Sequence, residues 1–202
     1  MKTISREAEI SIEIKRSRFV GRSFKCPAAE EALAAVKKLR EARRDASHHC
    51  WAYRVGISGE QARYADDGEP QGTAGPPILE ALKKNETTNA LIVVTRYFGG
   101  IKLGAGGLVR AYGEAAKRVL AESGAKELRL RLDLEIPVPY PLLGPLENFL
   151  AKEGAEISGK TFGENVVVRA RLPAEREFPF RSFYTNLVAG RFEFTVRGRD
   201  YS

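Results

Sequence analysis

Both histidines and one of the two cysteines of this 202-residue chain fall in one short segment, Ser47-His48-His49-Cys50-Trp51-Ala52-Tyr53-Arg54. Such a grouping raises zinc binding and thiol catalysis. In an extended strand side chains alternate, so His48 and Cys50 share one face while His49 and Trp51 take the other. At most two ligands then stand together, and no second Cys/His pair exists to complete a tetrahedral site. A thiolate nucleophile further needs an adjacent base and an accessible, electropositive setting. Cys50 beside Trp51 reads instead as a packed thiol. His48 and His49 are left as neutral or pH-sensitive groups that line a ligand site.

The second group is Ala65-Asp66-Asp67-Gly68-Glu69-Pro70-Gln71-Gly72-Thr73-Ala74-Gly75-Pro76. Asp66, Asp67 and Glu69 offer a general base or ligands for a hard cation, or a further part of the lining of that site. Their spacing is not that of an EF-hand, whose ligands spread over about twelve residues. An Asx-type turn with ion pairs to nearby arginines accounts for them without a metal and is the preferred reading.

The third group runs from Thr95 to Arg110, with Phe98, Gly99, Gly100, Lys102, Gly104, Gly106 and Gly107 between. A buried strand, a glycine-rich loop with one lysine and then a helix is an arrangement that cradles phosphate. Main-chain N–H groups at a helix start point outward, and the helix dipole favours an anion there. Arg96, Lys102 and Arg110 would add charge-assisted contacts. No Lys-Ser or Lys-Thr pair follows the last glycine, so this is no P-loop, and Val109 stands where a dinucleotide fingerprint needs Gly or Ala. Glycines that merely permit tight strand–helix packing are the bland alternative. The anion- or nucleic-acid-binding set is therefore Arg96, Gly99, Gly100, Lys102, Gly104, Gly106, Gly107 and Arg110. No catalytic residue, metal ligand or cofactor is assigned.

The elements that must position these groups follow from periodicity. Ala8, Ile10, Ile12 and Ile14 alternate with polar residues, which describes a half-buried strand, and Lys15-Arg16-Ser17 turns it into a second strand over 18–24. Pro27 opens a helix with the apolar stripe Leu33, Val36 and Leu39. Strands are expected over 48–57 and 61–64, an ordered loop over 66–77, and a short helix from Pro77 to 83. The run 90–98 is almost wholly apolar, a strand buried on both faces. Residues 99–107 hold five glycines in nine and are expected to stay non-helical. From Leu108 the period is helical, with Leu108, Ala111, Tyr112, Ala115 and Val119 on one face. After a short linker at 125–129, strands over 130–138, 155–161, 164–172 and 192–197 alternate with helices over 142–152 and 175–189. That βαββαβ order is ferredoxin-like.

Composition narrows the function classes. Hydrophobic residues at 43% and charged residues at 29% are those of a globular chain. The longest apolar run, 90–94, is far short of the roughly 20 residues of a membrane helix. No signal peptide is read at the start, and two cysteines make no disulfide framework, so a cytoplasmic location and no membrane partner are expected. Residues 1–130 hold 23 Lys and Arg against 16 Asp and Glu, while 131–202 hold 10 of each, so the whole net charge of +7 sits on the first part. Clustered cations attract polyanions.

These motifs together make a resemblance specific. His48 through Arg54, Asp66-Asp67-Gly68-Glu69-Pro70 with Gly72-Thr73-Ala74-Gly75, and Thr95 through Gly104 with Gly106-Gly107-Leu108-Val109-Arg110-Ala111-Tyr112 resemble the Impact/YigZ family, as does Ser17-Arg18-Phe19. The resemblance is strong over 1–125 and follows pattern more than motif beyond. It implies an α+β protein in two domains. Residues 1–127 would form a ribosomal-protein-S5-domain-2-like domain, a four-stranded sheet backed by helices. Residues 128–202 would form a ferredoxin-like domain similar to the last domain of the translocating elongation factor. Eukaryotic Impact is a translational regulator that binds a protein activator of a stress kinase. The RWD domain of eukaryotic members has no counterpart in these 202 residues, so that pathway is not carried over.

The leading expectation is a non-enzymatic nucleic-acid- or ribosome-binding protein in translational control, with RNA or the ribosome as partner. The alternative is an enzyme acting on a small anionic or phosphorylated substrate in the same cleft, with Asp66, Asp67 and Glu69 as its acid–base groups. Protein docking on exposed helix faces is a third reading.

Overall fold

The alternating isoleucines form a strand as expected, but they belong to a larger sheet than the resemblance implied. The computed structural model describes residues 1–56 and 58–201, and the chain divides into two units, Met1–Glu127 and Leu128–Ser202. In the first unit the elements run β1 (Lys2–Ile4), β2 (Ala8–Ile14), β3 (Ser17–Lys25), α1 (Ala29–Ala42), β4 (His48–Val55) and β5 (Gln61–Ala65), then α2 (Gly75–Lys84), β6 (Ala90–Tyr97), α3 (Ala105–Ser123) and β7 (Ala125–Glu127). Five strands, not four, form the main sheet, in the order β2-β3-β6-β4-β5 with every neighbour antiparallel. The fifth is the short edge strand β5, whose residues are mostly exposed.

β6 lies at the centre because Ala90 to Val94 can be buried on both faces, and each of these residues is fully buried. Alternation then sends Ile92 and Val94 into one core with Cys50, Ile78, Leu82, Tyr112 and Val119 under α2 and α3. Leu91 and Val93 join Trp51, Tyr53 and Val36 in a second core under α1. The helical stripe of α3 is buried as its period requires. In α1 Val36 is buried and Leu39 packs against the core as expected, but Ala32 takes the buried place expected of Leu33, which is 41% exposed.

Three boundaries differ in ways that matter. Strand β4 ends at Val55, and Ile57 lies outside the described residues. Helix α2 starts at Gly75, with Pro76 and Pro77 inside its first turn, where a missing N–H costs nothing. Helix α3 starts at Ala105, so Gly106 and Gly107 are helical after all. Their low propensity, about 1 kcal/mol each, is outweighed by the buried stripe that follows. The expected linker at 125–129 is in part β7, which pairs with an unexpected strand, β1.

The second unit holds β8 (Leu130–Val138), α4 (Leu143–Lys152), β9 (Glu156–Phe162), β10 (Val166–Pro173), α5 (Glu177–Leu187) and β11 (Thr195–Tyr201). The sheet order β11-β8-β10-β9, antiparallel throughout, is the ferredoxin-like arrangement. Alternate residues Leu132, Leu134, Ile136 and Val138 meet Leu146, Leu150, Phe180 and Tyr184 of the helices. The last strand was expected at 192–197 but starts at Thr195, because Phe192 and Phe194 pack on the core ahead of it.

Candidate anion-binding site

At the C-terminal end of β6 the carboxylates of the 65–76 loop turn inward. Asp66 accepts N–H bonds from Gly72 (2.9 Å), Ala74 (3.0 Å) and Gly75 (2.8 Å), which closes the loop and caps the start of α2. Asp67 accepts from the His49 amide (2.6 Å) and pairs with Arg40. Glu69, 8% exposed, accepts from Arg96 Nη1 and from the Tyr112 hydroxyl, each at 2.7 Å. The three therefore face different directions, and no group of three metal-ligating side chains gathers among the described residues.

Arg96 belongs with Glu69 and away from the solvent. It is 5% exposed, so the expectation that it meets an anion is corrected: its charge is balanced inside the protein. Its Nε is left without a partner, and its Nη2 reaches Ser17 Oγ at 3.4 Å.

The histidines are likewise held by the fold. His48 Nδ1 donates to the Asp67 carbonyl at 2.8 Å, and its Nε2 stands 3.9 Å from Glu69 Oε1. On the other face His49 Nε2 donates to the Arg43 carbonyl (3.1 Å), and its Nδ1 is hydrogen-bonded with Thr95 Oγ1 (3.1 Å). Burial holds the His49 pKa below its ordinary value, against smaller opposing effects of the Arg43 bond and Asp67. A depressed folded-state pKa means that the unfolded chain binds the proton more tightly. The first unit should thus lose stability as pH falls below about 6.5, the unfolded histidine value. The single Trp51, packed beneath α1, reports this by fluorescence in denaturant titrations at pH 8 and pH 5.5. A midpoint that is the same at both, or a shift that survives in His49→Gln, would refute it.

Both cysteines are buried as free thiols. Burial pushes the Cys26 thiol up to about 11 and the Cys50 thiol higher still, so both stay protonated near neutrality. Cys50 donates to the Asp66 carbonyl at 2.9 Å.

The glycine-rich segment divides in two. Its first amides are taken: Phe98 N–H donates to Ser47 Oγ (3.1 Å) and Gly99 N–H to Ser17 Oγ (3.2 Å). Gly99 lies hard against the Arg16–Ser17 backbone, where a Cβ would overlap the Arg16 carbonyl. Gly99 is therefore a packing residue. Beyond it, Gly100 and Gly104 are exposed at positive φ with open space beside them. The first intrahelical bond of α3 runs from Leu108 N–H to the Gly104 carbonyl, and no side chain among the described residues caps the helix. The amides of Ala105, Gly106 and Gly107 are consequently unpaired. No acidic residue stands in that first turn. Instead Arg110 leans back over it, with Nη1 3.9 Å from where a Gly106 Cβ would sit.

This helix start opens into a groove of about 910 Å³ between α2 and α3, whose lining includes Gly72, Leu103, Gly107 and Arg110. Lys15 and Lys117 also line it, and like Lys102 they are exposed without a carboxylate partner among the described residues. Its two glutamates are engaged, Glu80 with Lys84 (3.6 Å) and Glu114 with Arg118 (2.7 Å). Asp66, Asp67 and Glu69 do not line it. The sequence reading missed Lys15, Lys117 and the α2 wall, because only the fold brings 15, 72, 84 and 110 to one place. In the second unit several cations pair with acids: Arg171 with Asp133 (3.1 Å), Arg197 with Glu135 (3.1 Å) and Arg131 with Glu156 (3.5 Å).

Residues 15–120 match the Impact N-terminal domain, and residues 136–191 match a domain of unknown function (DUF1949). The IMPACT family member YvyE of Bacillus subtilis is 36% identical over 94% of this chain and 87% of its own length. The IMPACT family member YigZ of Escherichia coli is 33% identical over 90% of each. A crystal structure of a hypothetical protein, 30% identical, aligns over 98% of this chain and 97% of its own with a TM-score of 0.68. No helix among the described residues is long and apolar enough to cross a membrane.

Proposed function

The chain belongs to the IMPACT family, and from that premise we propose that it binds the phosphate groups of RNA or the ribosome, in the cytoplasm and in the service of translational control. One observation carries the reading. The start of α3 exposes three unpaired amides, has no acid in its first turn and has Arg110 laid across it. A helix N-terminus carries a partial positive charge of roughly one half, so an arginine there is unfavourable unless an anion arrives. Asp66 caps the start of α2, whereas no side chain among the described residues caps α3. Of the first unit's cations, Lys15 and Arg110 line the groove beside that place, Lys102 sits in the loop leading to it, and Lys117 lines the groove further along α3.

The enzyme alternative needs carboxylates free to exchange protons beside the groove. Asp66, Asp67 and Glu69 are each engaged elsewhere, which counts against that alternative.

Binding through about four phosphate contacts is steeply salt-dependent. Raising salt from 50 to 200 mM should weaken binding to an RNA oligonucleotide by roughly 30- to 100-fold. Pairing Lys102→Ala with Arg110→Ala should lower the slope of log affinity against log salt by about 1.5 and leave the thermal unfolding midpoint unchanged. Fluorescence anisotropy at several salt concentrations checks both. Absence of binding at 50 mM salt, or a slope untouched by the paired substitution, would remove the α3 start from the function.

A further inference from the structure

Phe98 is an aromatic ring that the fold holds outside its cores. It follows the last residue of the central strand and is 50% exposed, although Val94 and Arg96 just before it are buried. Its backbone is fixed on both sides: its own amide is bonded to Ser47, and that of Gly99 to Ser17, with Gly99 wedged against the Arg16 backbone. The guanidinium carbon of Arg96 lies 5.3 Å from the ring centroid, and that arginine is buried. The ring therefore rests on a fixed support and still shows half of its surface to solvent. An exposed ring in so rigid a mount loses little conformational freedom when something flat lies upon it.

The surroundings say what that partner is. Ile101, 41% exposed, and the unpaired Lys102 share the loop with Phe98. Lys15 and Arg16, both at positive φ, make the tip of the β2–β3 hairpin on which Gly99 packs, and both are exposed. Cations with no carboxylate partner among the described residues thus share the loop and the adjoining hairpin tip with an exposed flat ring that does not itself line the groove. A polymer that alternates negative charge with flat aromatic rings matches this. Single-stranded nucleic acid is such a polymer, and a duplex is not, because its bases are already stacked on one another. An acidic peptide would satisfy the cations but has no regular flat group to lay on the ring.

We propose that Phe98 is a stacking platform for one unpaired base of a single-stranded nucleic acid whose flanking phosphates are held by the neighbouring cations and the start of α3. This rests on the phosphate-binding reading above and names the form of nucleic acid that the site takes.

The test compares a labelled 12-nucleotide single-stranded RNA, the same sequence as DNA, the RNA as duplex and a poly-glutamate peptide of equal charge, at 50 mM salt. The wild type should prefer single strands of either sugar to the duplex. Phe98→Leu, which keeps apolar bulk but has no ring, should lose roughly tenfold on single strands, with duplex affinity and salt slope unchanged. Thermal unfolding of the variant confirms that it is folded. If single strands bind and Phe98→Leu binds them like the wild type, the stacking inference fails while phosphate binding stands. If the peptide binds as tightly as RNA, the site is one for acidic protein segments and the inference is wrong. If nothing binds, both proposals fall together.

Discussion

Replacing Glu69 by alanine is expected to destabilise the first unit by about 3–5 kcal/mol, enough to leave many domains of this size only marginally folded. The carboxylate is buried, with 3% of its side chain exposed, and one oxygen serves both Arg96 and Tyr112. Its loss strands a guanidinium that is itself buried and already has an unpartnered Nε. The Tyr112 hydroxyl, between α3 and the sheet, loses its acceptor too. An unpaired buried charge is the expensive outcome, whereas removing both charges together is not. Glu69→Leu combined with Arg96→Met should therefore recover most of the loss. Denaturant unfolding followed by Trp51 fluorescence measures the cycle. A loss below about 1 kcal/mol for the single substitution would show that water reaches the pair. The same experiment bears on chemistry. A catalytic carboxylate commonly destabilises its fold, so its removal would be neutral or stabilising.

The pair also explains what could and could not be read from the chain. Runs with a regular period were legible: β2, β6, β8 and the buried face of α3 follow from spacing alone, because each buries one continuous stripe. The α+β class and the βαββαβ order of the second unit follow in turn. What spacing does not encode is the direction of a charged side chain at a strand end. Arg96 and Lys102 lie six residues apart in one glycine-rich string, and spacing alone offers both to an anion. Arg96 is on the α3 face of β6, where Glu69 and Tyr112 meet it, and Lys102 is out in the loop. Deciding between them requires knowing that the 65–76 loop folds back over that face.

The short strands failed for a related reason. β1 and β7 are three residues each, with no period to detect, and they exist because the two ends of the first unit pair with each other. Likewise Lys15 joins the groove by way of a hairpin and Lys117 by way of the fourth turn of α3. The site was legible as a motif at Gly104 to Arg110 and invisible as a surface.

Gly99→Ala is expected to cost about 3 kcal/mol and to weaken phosphate binding as well, whereas Gly100→Ala one residue on should cost about 1 kcal/mol and leave binding intact. The contrast arises from space rather than from backbone dihedrals. Gly100 has a φ of 84°, which an L-residue adopts with modest strain, but nothing lies within 4 Å of its missing Cβ. At Gly99 that carbon would overlap the Arg16 carbonyl group and stand 2.5 Å from the Ser17 nitrogen. Those are backbone atoms of a hairpin tip that cannot rotate away. To admit the methyl group, the loop must separate from the hairpin. Separation breaks the bond from Gly99 N–H to Ser17 Oγ and shifts the buried Ser17 that also meets Arg96. The strand end, the loop and the first turn of α3 are consecutive, so the displacement carries Lys102 and the unpaired amides out of register with Lys15. Thermal unfolding and RNA anisotropy on both variants test this. Equal losses at the two glycines would mean that conformational freedom, and not the close approach to the hairpin, is what the loop requires of glycine.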